Sequence, residues 1–190
     1  MQRATKVLVA ATLAASLAVP AARLQAQTPA APAGIKAELI RAIEAAEGHV
    51  VALAEKFPQD KYSWHPEGAR TTSEVFMHVA AGNYSYANLL GVPRPEGMTG
   101  AALAKITDKA QVVETLKKSF AQLKEAIQNA PDLDKPIKLY GRDSTMREVM
   151  IVAATHCHEH LGQLIAYARV NGIVPPWSEA QPAARPPAKN

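Results

Sequence analysis

Four segments of this 190-residue chain carry apolar residues at the spacing of an α-helix, and loops rich in proline and glycine separate them. We predict helices from Ile35 to Lys56, from Thr71 to Leu90, from Asp108 to Asn129 and from Thr145 to Asn171. The last three begin at a threonine or aspartate followed three residues later by Glu or Gln, which is typical of a helix N-terminus. No strand pattern or internal repeat stands between them. The sequence therefore predicts an all-α fold, a four-helix bundle.

The apolar stripes also predict which side chains form the core of this bundle. Residues that share one face of each helix are expected to be buried together. They are Leu39, Ile43, Val50 and Leu53 in the first helix, Val75, Val79 and Tyr86 in the second, Val112, Leu116, Phe120, Leu123 and Ile127 in the third, and Met146, Val149, Ala153 and Leu164 in the fourth.

The first 26 residues have the composition of a bacterial secretory signal peptide. Arg3 and Lys6 form a positive n-region, the stretch from Val7 to Val19 forms an apolar h-region, and cleavage is expected after Ala26. The uncharged stretch is shorter than the roughly 20 residues of a spanning helix, although an uncleaved anchor is the alternative. We therefore expect a periplasmic or secreted protein with no membrane segment after cleavage.

These features divide the chain into four parts. A signal peptide at 1–26 and a linker at 27–34 precede the bundle at 35–174, and a proline-rich tail at 175–190 follows it, with disorder expected beyond Trp177. Removal of the signal takes away three basic residues and no acidic one, so the formal net charge falls from +4 to +1. No Lys/Arg stripe remains that would bind nucleic acid.

The sequence THCHEHLGQL at 155–164 places His156 and His160 four residues apart within the fourth helix. That spacing is about 1.1 turns, so both rings project from one face. His78 follows the apolar repeat of the second helix and is expected to face inward, and Gly82 one turn later leaves room beside it. Because inward side chains on facing helices build metal sites in bundles, we predict that His78, His156 and His160 bind a divalent metal such as Zn, Ni, Fe or Mn, with an open fourth position.

Other interpretations of these histidines are open at this point. They could be ordinary helix residues satisfied by hydrogen bonds. The stretch from His156 to His160 also matches H-x-x-E-H, the inverted zinc-protease motif, in which Glu159 would be the general base and Glu179 the remaining candidate for a carboxylate ligand. A di-iron carboxylate site would need Glu-x-x-His pairs, which the chain lacks.

The neighbouring polar and aromatic residues are weaker candidates. His158 lies about 200° around the helix from both ligands and should point away from them. His49 falls just off the apolar stripe of its helix, and Glu159 either orients an imidazole or faces solvent. The amide of Gln163 is a candidate partner for a ligand imidazole. Cys157, the only cysteine, is expected to be a small buried side chain.

Two stretches of this chain, YSWHPEGARTTSEVFMHVAAGN at 62–83 and HCHEHLGQLIAYARVNGIVPP at 156–176, resemble the DinB-like superfamily of metal-binding four-helix bundles. The resemblance implies a divalent metal held by His78, His156 and His160, and some relatives are thiol-dependent transferases or isomerases. Two departures bear on this. Many relatives carry Arg after the last ligand, where this chain has Leu161, and low-molecular-weight thiol cofactors are chiefly cytosolic whereas export is predicted here.

Two hypotheses for the function follow. In the first, the site activates water or a small nucleophile, as in a metal-dependent hydrolase or thiol transferase acting on a small molecule, and residues around Trp64, Tyr84 and Tyr86 shape the adjacent pocket. In the alternative, a non-catalytic bundle, with a homodimer as one form, uses its metal for structure or metal handling. A fourth side-chain ligand would favour the alternative, because catalytic sites keep one position for water.

Overall fold

The computed structural model describes residues 34–179, and four long helices make up most of that range. In chain order the elements are α1 (Ile35–Lys56), α2 (Thr72–Leu89), α3 (Gly100–Leu103), α4 (Lys109–Asn129), β1 (Pro136–Leu139), β2 (Arg142–Thr145), α5 (Met146–Val170) and α6 (Pro176–Glu179). The predicted signal peptide, nearly all of the predicted linker and the last 11 residues of the tail lie outside the described residues. Within residues 34–179, no helix is both long and apolar enough to span a membrane.

The helix ends follow the capping residues that the sequence predicted. At the start of α2, the Thr71 hydroxyl accepts a hydrogen bond from the Glu74 amide at 3.2 Å, and the Glu74 carboxylate accepts one from the Thr71 amide at 2.7 Å. Asp108 caps α4 through the Gln111 amide, and the Thr145 hydroxyl caps α5. Such a side chain satisfies an amide that has no partner within its helix, which explains why α2, α4 and α5 begin where they do.

The core lies between the four long helices. Both α1 and α2 pack against α4 and against α5, so the apolar stripes of all four turn inward. The residues predicted for the core are buried, with the exception of Leu39, which is half-buried. The predicted helical bundle is therefore confirmed for the part of the chain that the structure describes.

The prediction that the chain contains no strands is wrong in one place. Strands β1 and β2 form an antiparallel hairpin between α4 and α5, with Leu139 paired to Arg142 across a two-residue turn. The turn residues Tyr140 and Gly141 have φ values of +51° and +82°, as a type I′ turn requires at both central positions. The hairpin buries Leu139 and leaves Tyr140 73% exposed.

The short helix α6 folds back on α1. The rings of Trp177 and His49 lie 4.1 Å apart between centroids, and Lys56 forms an ion pair with Glu179 at 2.8 Å. Disorder was expected beyond Trp177, but Ser178 and Glu179 complete this helical turn. One apolar contact and one ion pair hold the turn in place.

Cys157 belongs to a buried polar chain that links α5, α2 and α4. Its thiol donates to the Asn83 side-chain oxygen at 3.4 Å, the Asn83 amide donates to the Ser119 hydroxyl at 3.2 Å, and Ser119 donates to the Leu116 carbonyl at 2.8 Å. Burial raises the pKa of the Cys157 thiol to about 12. The thiol is therefore protonated and buried, in agreement with the predicted role of a small core side chain.

Candidate metal centre

The structure brings His78, His156 and His160 together, as the helical spacing predicted. His78 projects from α2, and the other two project from successive turns of α5. One ring nitrogen of each lies within 4.8 Å of those of the other two. His78 and His156 are half-buried and His160 is buried.

The closest pair of these nitrogens has the spacing of two ligands on one ion. The Nε2 atoms of His78 and His156 lie 3.2 Å apart. Two nitrogens bound to Zn²⁺ at about 2.0–2.1 Å in a tetrahedral site stand roughly 3.3–3.4 Å apart. A hydrogen bond between the two rings would use the same separation, but it would leave the lone pair of His160 unused. The arrangement of all three rings fits a divalent ion better than it fits a pair of hydrogen-bonded histidines.

A chain of hydrogen bonds determines which nitrogen of His160 faces the other two histidines. The Tyr167 hydroxyl donates to the Arg70 carbonyl at 3.0 Å, because a carbonyl only accepts. Tyr167 accepts from the Gln163 amide nitrogen at 3.0 Å, so the Gln163 oxygen points to His160 Nδ1 at 2.9 Å. His160 Nδ1 must therefore carry the proton, which leaves the Nε2 lone pair free for a metal. This fulfils the partner role that the sequence allowed for Gln163.

His156 is oriented by packing rather than by hydrogen bonding. Its Nδ1 atom is buried without a hydrogen-bond partner among residues 34–179. A Cβ atom built on Gly82 would lie 2.5 Å from His156 Cε1 and 2.9 Å from Nδ1, so the ring occupies the space that a side chain at position 82 would fill. The sequence predicted room at Gly82 beside His78. The structure shows that this room accommodates the imidazole of His156 from the facing helix.

The environment keeps two of the rings neutral. Burial, with smaller contributions from His160, His78 and Arg70, lowers the pKa of His156 to about 4. Burial followed by the charge of Arg70 also lowers the pKa of His78. Neutral imidazoles bind a divalent ion without competition from protons, which is the state that a metal site at neutral pH needs.

The other histidines lie outside this cluster. His158 is exposed, and its Nδ1 lies 2.9 Å from the Ala154 carbonyl, so it points away as predicted. His49 packs on Trp177 and does not line the histidine site.

The inverted zinc-protease motif is not supported by the structure. Glu159, the general base of that motif, is exposed, and Glu179 pairs with Lys56. The third candidate ligand is His78 and not a downstream carboxylate. Within residues 34–179, no fourth His, Cys, Asp or Glu joins the three histidines. The described residues therefore supply three candidate ligands and leave the fourth coordination position open.

A pocket of about 590 Å³ lies directly beside His78 and His156. Tyr86 lines it, and its hydroxyl lies 2.7 Å from the hydroxyl of Tyr140 at the tip of the hairpin. Of the three aromatic residues predicted to shape a pocket, only Tyr86 does so. Tyr84 is buried elsewhere in the core, and Trp64 packs edge-to-face on Tyr167.

The sequence did not predict the pocket residues that come from the loop after α2 and from the hairpin. Arg94 reaches the pocket from the segment between α2 and α3, and Lys138, Leu139 and Tyr140 reach it from the hairpin. A Gly-containing turn just before the Thr145 cap was the available signal for the hairpin. No local signal pointed to Arg94.

Comparisons with known proteins agree with this fold. A family model described as the DinB superfamily matches residues 42–164. The protein YjoA of Bacillus subtilis (strain 168) is 28% identical over 127 residues, which cover 63% of this chain and 80% of YjoA. The crystal structure of YjoA, a DinB-like protein, matches with a TM-score of 0.58 at 22% identity, over 72% of this chain and 93% of that one. A DinB-like protein from Bacillus cereus ATCC 10987 matches with a TM-score of 0.61 at 17% identity, over 73% and 93%.

Four long helices around three converging histidines define a helical-bundle protein with a candidate metal centre. The family match spans most of the bundle and includes all three histidines. The chain belongs to the DinB superfamily, which confirms the resemblance inferred from its two histidine-bearing stretches. Because the two crystal structures are only 22% and 17% identical to this chain, they support the fold alone.

Proposed function

We propose that this protein is an exported metal-dependent hydrolase of small molecules, with a divalent ion bound by His78, His156 and His160. The observation that carries the proposal is the open side of the cluster. Three imidazoles converge without a fourth protein ligand in the described part of the chain, and the pocket begins at two of them. A structural metal site is closed by four side chains, whereas a catalytic one keeps a position for water or substrate.

A divalent ion in this site would supply a Lewis acid and a bound water of lowered pKa. Imidazole ligands are uncharged when they bind a metal, so the full positive charge of the ion would act on that water. Water is the nucleophile we favour over a thiol, because the predicted export would remove the protein from cytosolic thiol cofactors.

Tyr86 is placed to bind a ligand oxygen in the pocket. Burial, together with the hydrogen bond to Tyr140, raises the pKa of Tyr86, so its hydroxyl stays protonated. The two tyrosine hydroxyls share one hydrogen bond at 2.7 Å, which uses only one of their two protons. The other proton is available for a substrate oxygen, and we assign this pair a role in orienting the substrate.

Metal binding is tested by removing all metal with a chelator and titrating the apoprotein with Zn²⁺, Ni²⁺ and Mn²⁺. We expect one ion per chain for the wild type and loss of tight binding for His156→Ala. The matched control is His158→Ala, which removes an exposed histidine two residues away and should retain the metal. Unchanged metal content in His156→Ala would defeat the proposal.

Hydrolysis is tested with the same three proteins on a panel of small esters, amides and lactones. We expect turnover that requires added metal, is lost in His156→Ala and persists in His158→Ala. A protein that binds one ion and hydrolyses nothing on the panel, while its metal resists exchange, would favour the non-catalytic alternative.

Export is tested by expressing the full chain in a bacterium and sequencing the N-terminus of the mature protein, which should begin at Gln27.

A further inference from the structure

Arg94 places a positive charge at the wall of the pocket, and no carboxylate among residues 34–179 neutralises it. Its guanidinium donates to the Met98 carbonyl at 3.0 Å and to the Ser85 hydroxyl, which itself donates to the Ala81 carbonyl at 2.9 Å. Within residues 34–179, Arg94 forms no ion pair. Two neutral acceptors hold the side chain in place, and the remaining N–H groups of the guanidinium have no described partner.

The rest of the pocket lining does not offset this charge. None of the described lining residues is acidic. The other cationic residue of the lining, Lys138, is already paired at 2.6 Å with Asp143, its cross-strand partner in the hairpin. A half-buried guanidinium without a counter-ion loses hydration and gains little in return, so an anion that enters the pocket would be bound there.

The position on α2 of Ser85, which accepts a hydrogen bond from Arg94, gives the distance between this charge and the histidines. Ser85, which holds the guanidinium, lies seven residues after His78 on nearly the same face of the helix. Seven residues of α-helix rise roughly 10 Å. Ala81 and Gly82 lie between the two points, and Leu89 and Leu139 add further apolar wall. The wall that α2 forms between the histidines and Ser85 is therefore apolar. The hydroxyls of Tyr86 and Tyr140 also line the pocket, and Arg94 supplies a positive charge at the far end.

We infer that the pocket takes an elongated organic anion whose carboxylate or phosphate binds Arg94 while its other end reaches the three histidines. The apolar middle of such a molecule lies along α2 beside Ala81 and Gly82, between His78 and Ser85. The anion-binding end depends only on Arg94, whereas the assignment of the other end as the reactive group rests on the proposed function. Ligands that are much shorter than roughly 10 Å cannot satisfy both ends at once.

The test uses suberic acid monohydroxamate, which chelates metals at one end, carries a carboxylate at the other and matches this span when extended. Its methyl ester is the uncharged control, and a phosphonate of the same length separates phosphate from carboxylate recognition. Binding to the zinc-loaded protein is measured by calorimetry for wild type, Arg94→Gln and Arg94→Lys. Arg41→Gln is the matched control, because Arg41 is an exposed arginine of α1 that does not line the pocket.

We expect the wild type to prefer the anionic probe over its ester, and Arg94→Gln to weaken the anionic probe by roughly tenfold or more with little effect on the ester. Arg94→Lys keeps the charge, so its affinity for the anionic probe should lie between those of the wild type and Arg94→Gln. Arg41→Gln should have the wild-type affinity. Equal affinity of the wild type for acid and ester, or a parallel loss of both in Arg94→Gln, would overturn the inference.

A metal-free arm separates this inference from the proposed function. Octanoate and octanamide are titrated into the apoprotein and followed by NMR line shifts. Octanoate binding that depends on Arg94 in a protein that fails to bind metal would uphold the anion site and refute the metal proposal. A protein that binds one ion but shows no Arg94-dependent binding of octanoate or of the suberic acid probe would uphold the metal proposal and refute the anion site.

Discussion

The imidazole of His156 occupies the space above Gly82 on the facing helix. A Cβ at position 82 would come within 2.5 Å of Cε1 of the ring, which is closer than side-chain carbons pack. The ring cannot retreat freely, because it also packs against Tyr86 at 5.5 Å and against His160 at 4.6 Å between ring centroids. The absence of a side chain at Gly82 therefore determines where one of the three candidate ligands stands.

Replacing Gly82 with alanine should weaken metal binding without unfolding the bundle. The added methyl group must displace His156, and displaced ligands or their supports typically cost 10–100-fold in metal affinity. The measurement is metal affinity by competition with a chelator, with helix content followed by circular dichroism. Gly48→Ala is the control, since a Cβ there meets nothing within 4 Å, and it should leave metal affinity unchanged. Wild-type affinity in Gly82→Ala would show that the ring position is not needed.

The hydrogen-bond chain behind His160 predicts a graded series of effects. Gln163→Leu removes the acceptor of the His160 Nδ1 proton, so we expect roughly 10–100-fold weaker metal binding. Tyr167→Phe leaves Gln163 in place but frees its amide to turn over, so a smaller loss is expected. Both variants should keep one ion per chain at saturating metal. Equal affinities for the wild type and Gln163→Leu would rule out a role for the chain in orienting the ligand.

The fold was predictable because its signals are local and periodic. Helices of 18 to 25 residues repeat their apolar pattern several times, and Thr71, Asp108 and Thr145 each mark a beginning that the structure confirms. The hairpin was not predictable in the same way. Its strands are four residues each, too short to establish an alternating pattern, and its turn begins with Tyr140 where Asn or Asp is the usual signal.

The candidate site shows the same division between local and long-range information. His156 and His160 share a face because they lie one turn apart on one helix, and His78 needed only an inward position on a neighbouring helix. The ring that Gly82 accommodates belongs to α5, and the approach of Arg94 depends on the path of the loop after α2. The contact of His156 with Gly82 and the entry of Arg94 into the pocket arise only when the helices pack. The sequence around each residue therefore does not predict these contacts.

The apoprotein should become less stable as the pH falls from about 7 toward 4. The pKa of His156 is lowered from the ordinary value of 6.5 to about 4, and that of His78 is lowered as well, so between these values the unfolded chain takes up protons that the folded chain does not. The stability is therefore fully present above pH 6.5 and is lost progressively as the pH falls from 6.5 to the folded-state pKa of about 4. Urea denaturation of the chelator-treated protein at a series of pH values measures this slope.

A variant isolates the origin of the pH effect. His156→Asn removes the titrating ring from the cluster, so its stability should depend less steeply on pH in the same window. His65→Asn removes an exposed histidine and should retain the wild-type slope. A wild-type slope in His156→Asn would assign the effect to other groups.

Tyr140 combines an unfavourable backbone with an exposed side chain, and this predicts opposite effects on stability and on binding. Its φ of +51° is costly for a bulky residue, and its ring is 73% exposed, so core packing does not explain its presence. Tyr140→Asn creates the Asn-Gly pair that type I′ turns favour and should raise the free energy of unfolding by about 0.5–1 kcal/mol. The same change removes the hydroxyl that lies 2.7 Å from Tyr86, so ligands in the pocket should bind more weakly.

Urea denaturation measures the effect of Tyr140→Asn on stability, and calorimetry with the hydroxamate measures its effect on binding. The control Tyr140→Phe keeps the ring but not the hydroxyl, so it should weaken binding without the gain in stability. A loss of stability in Tyr140→Asn would mean that the tyrosine supports the turn rather than the pocket.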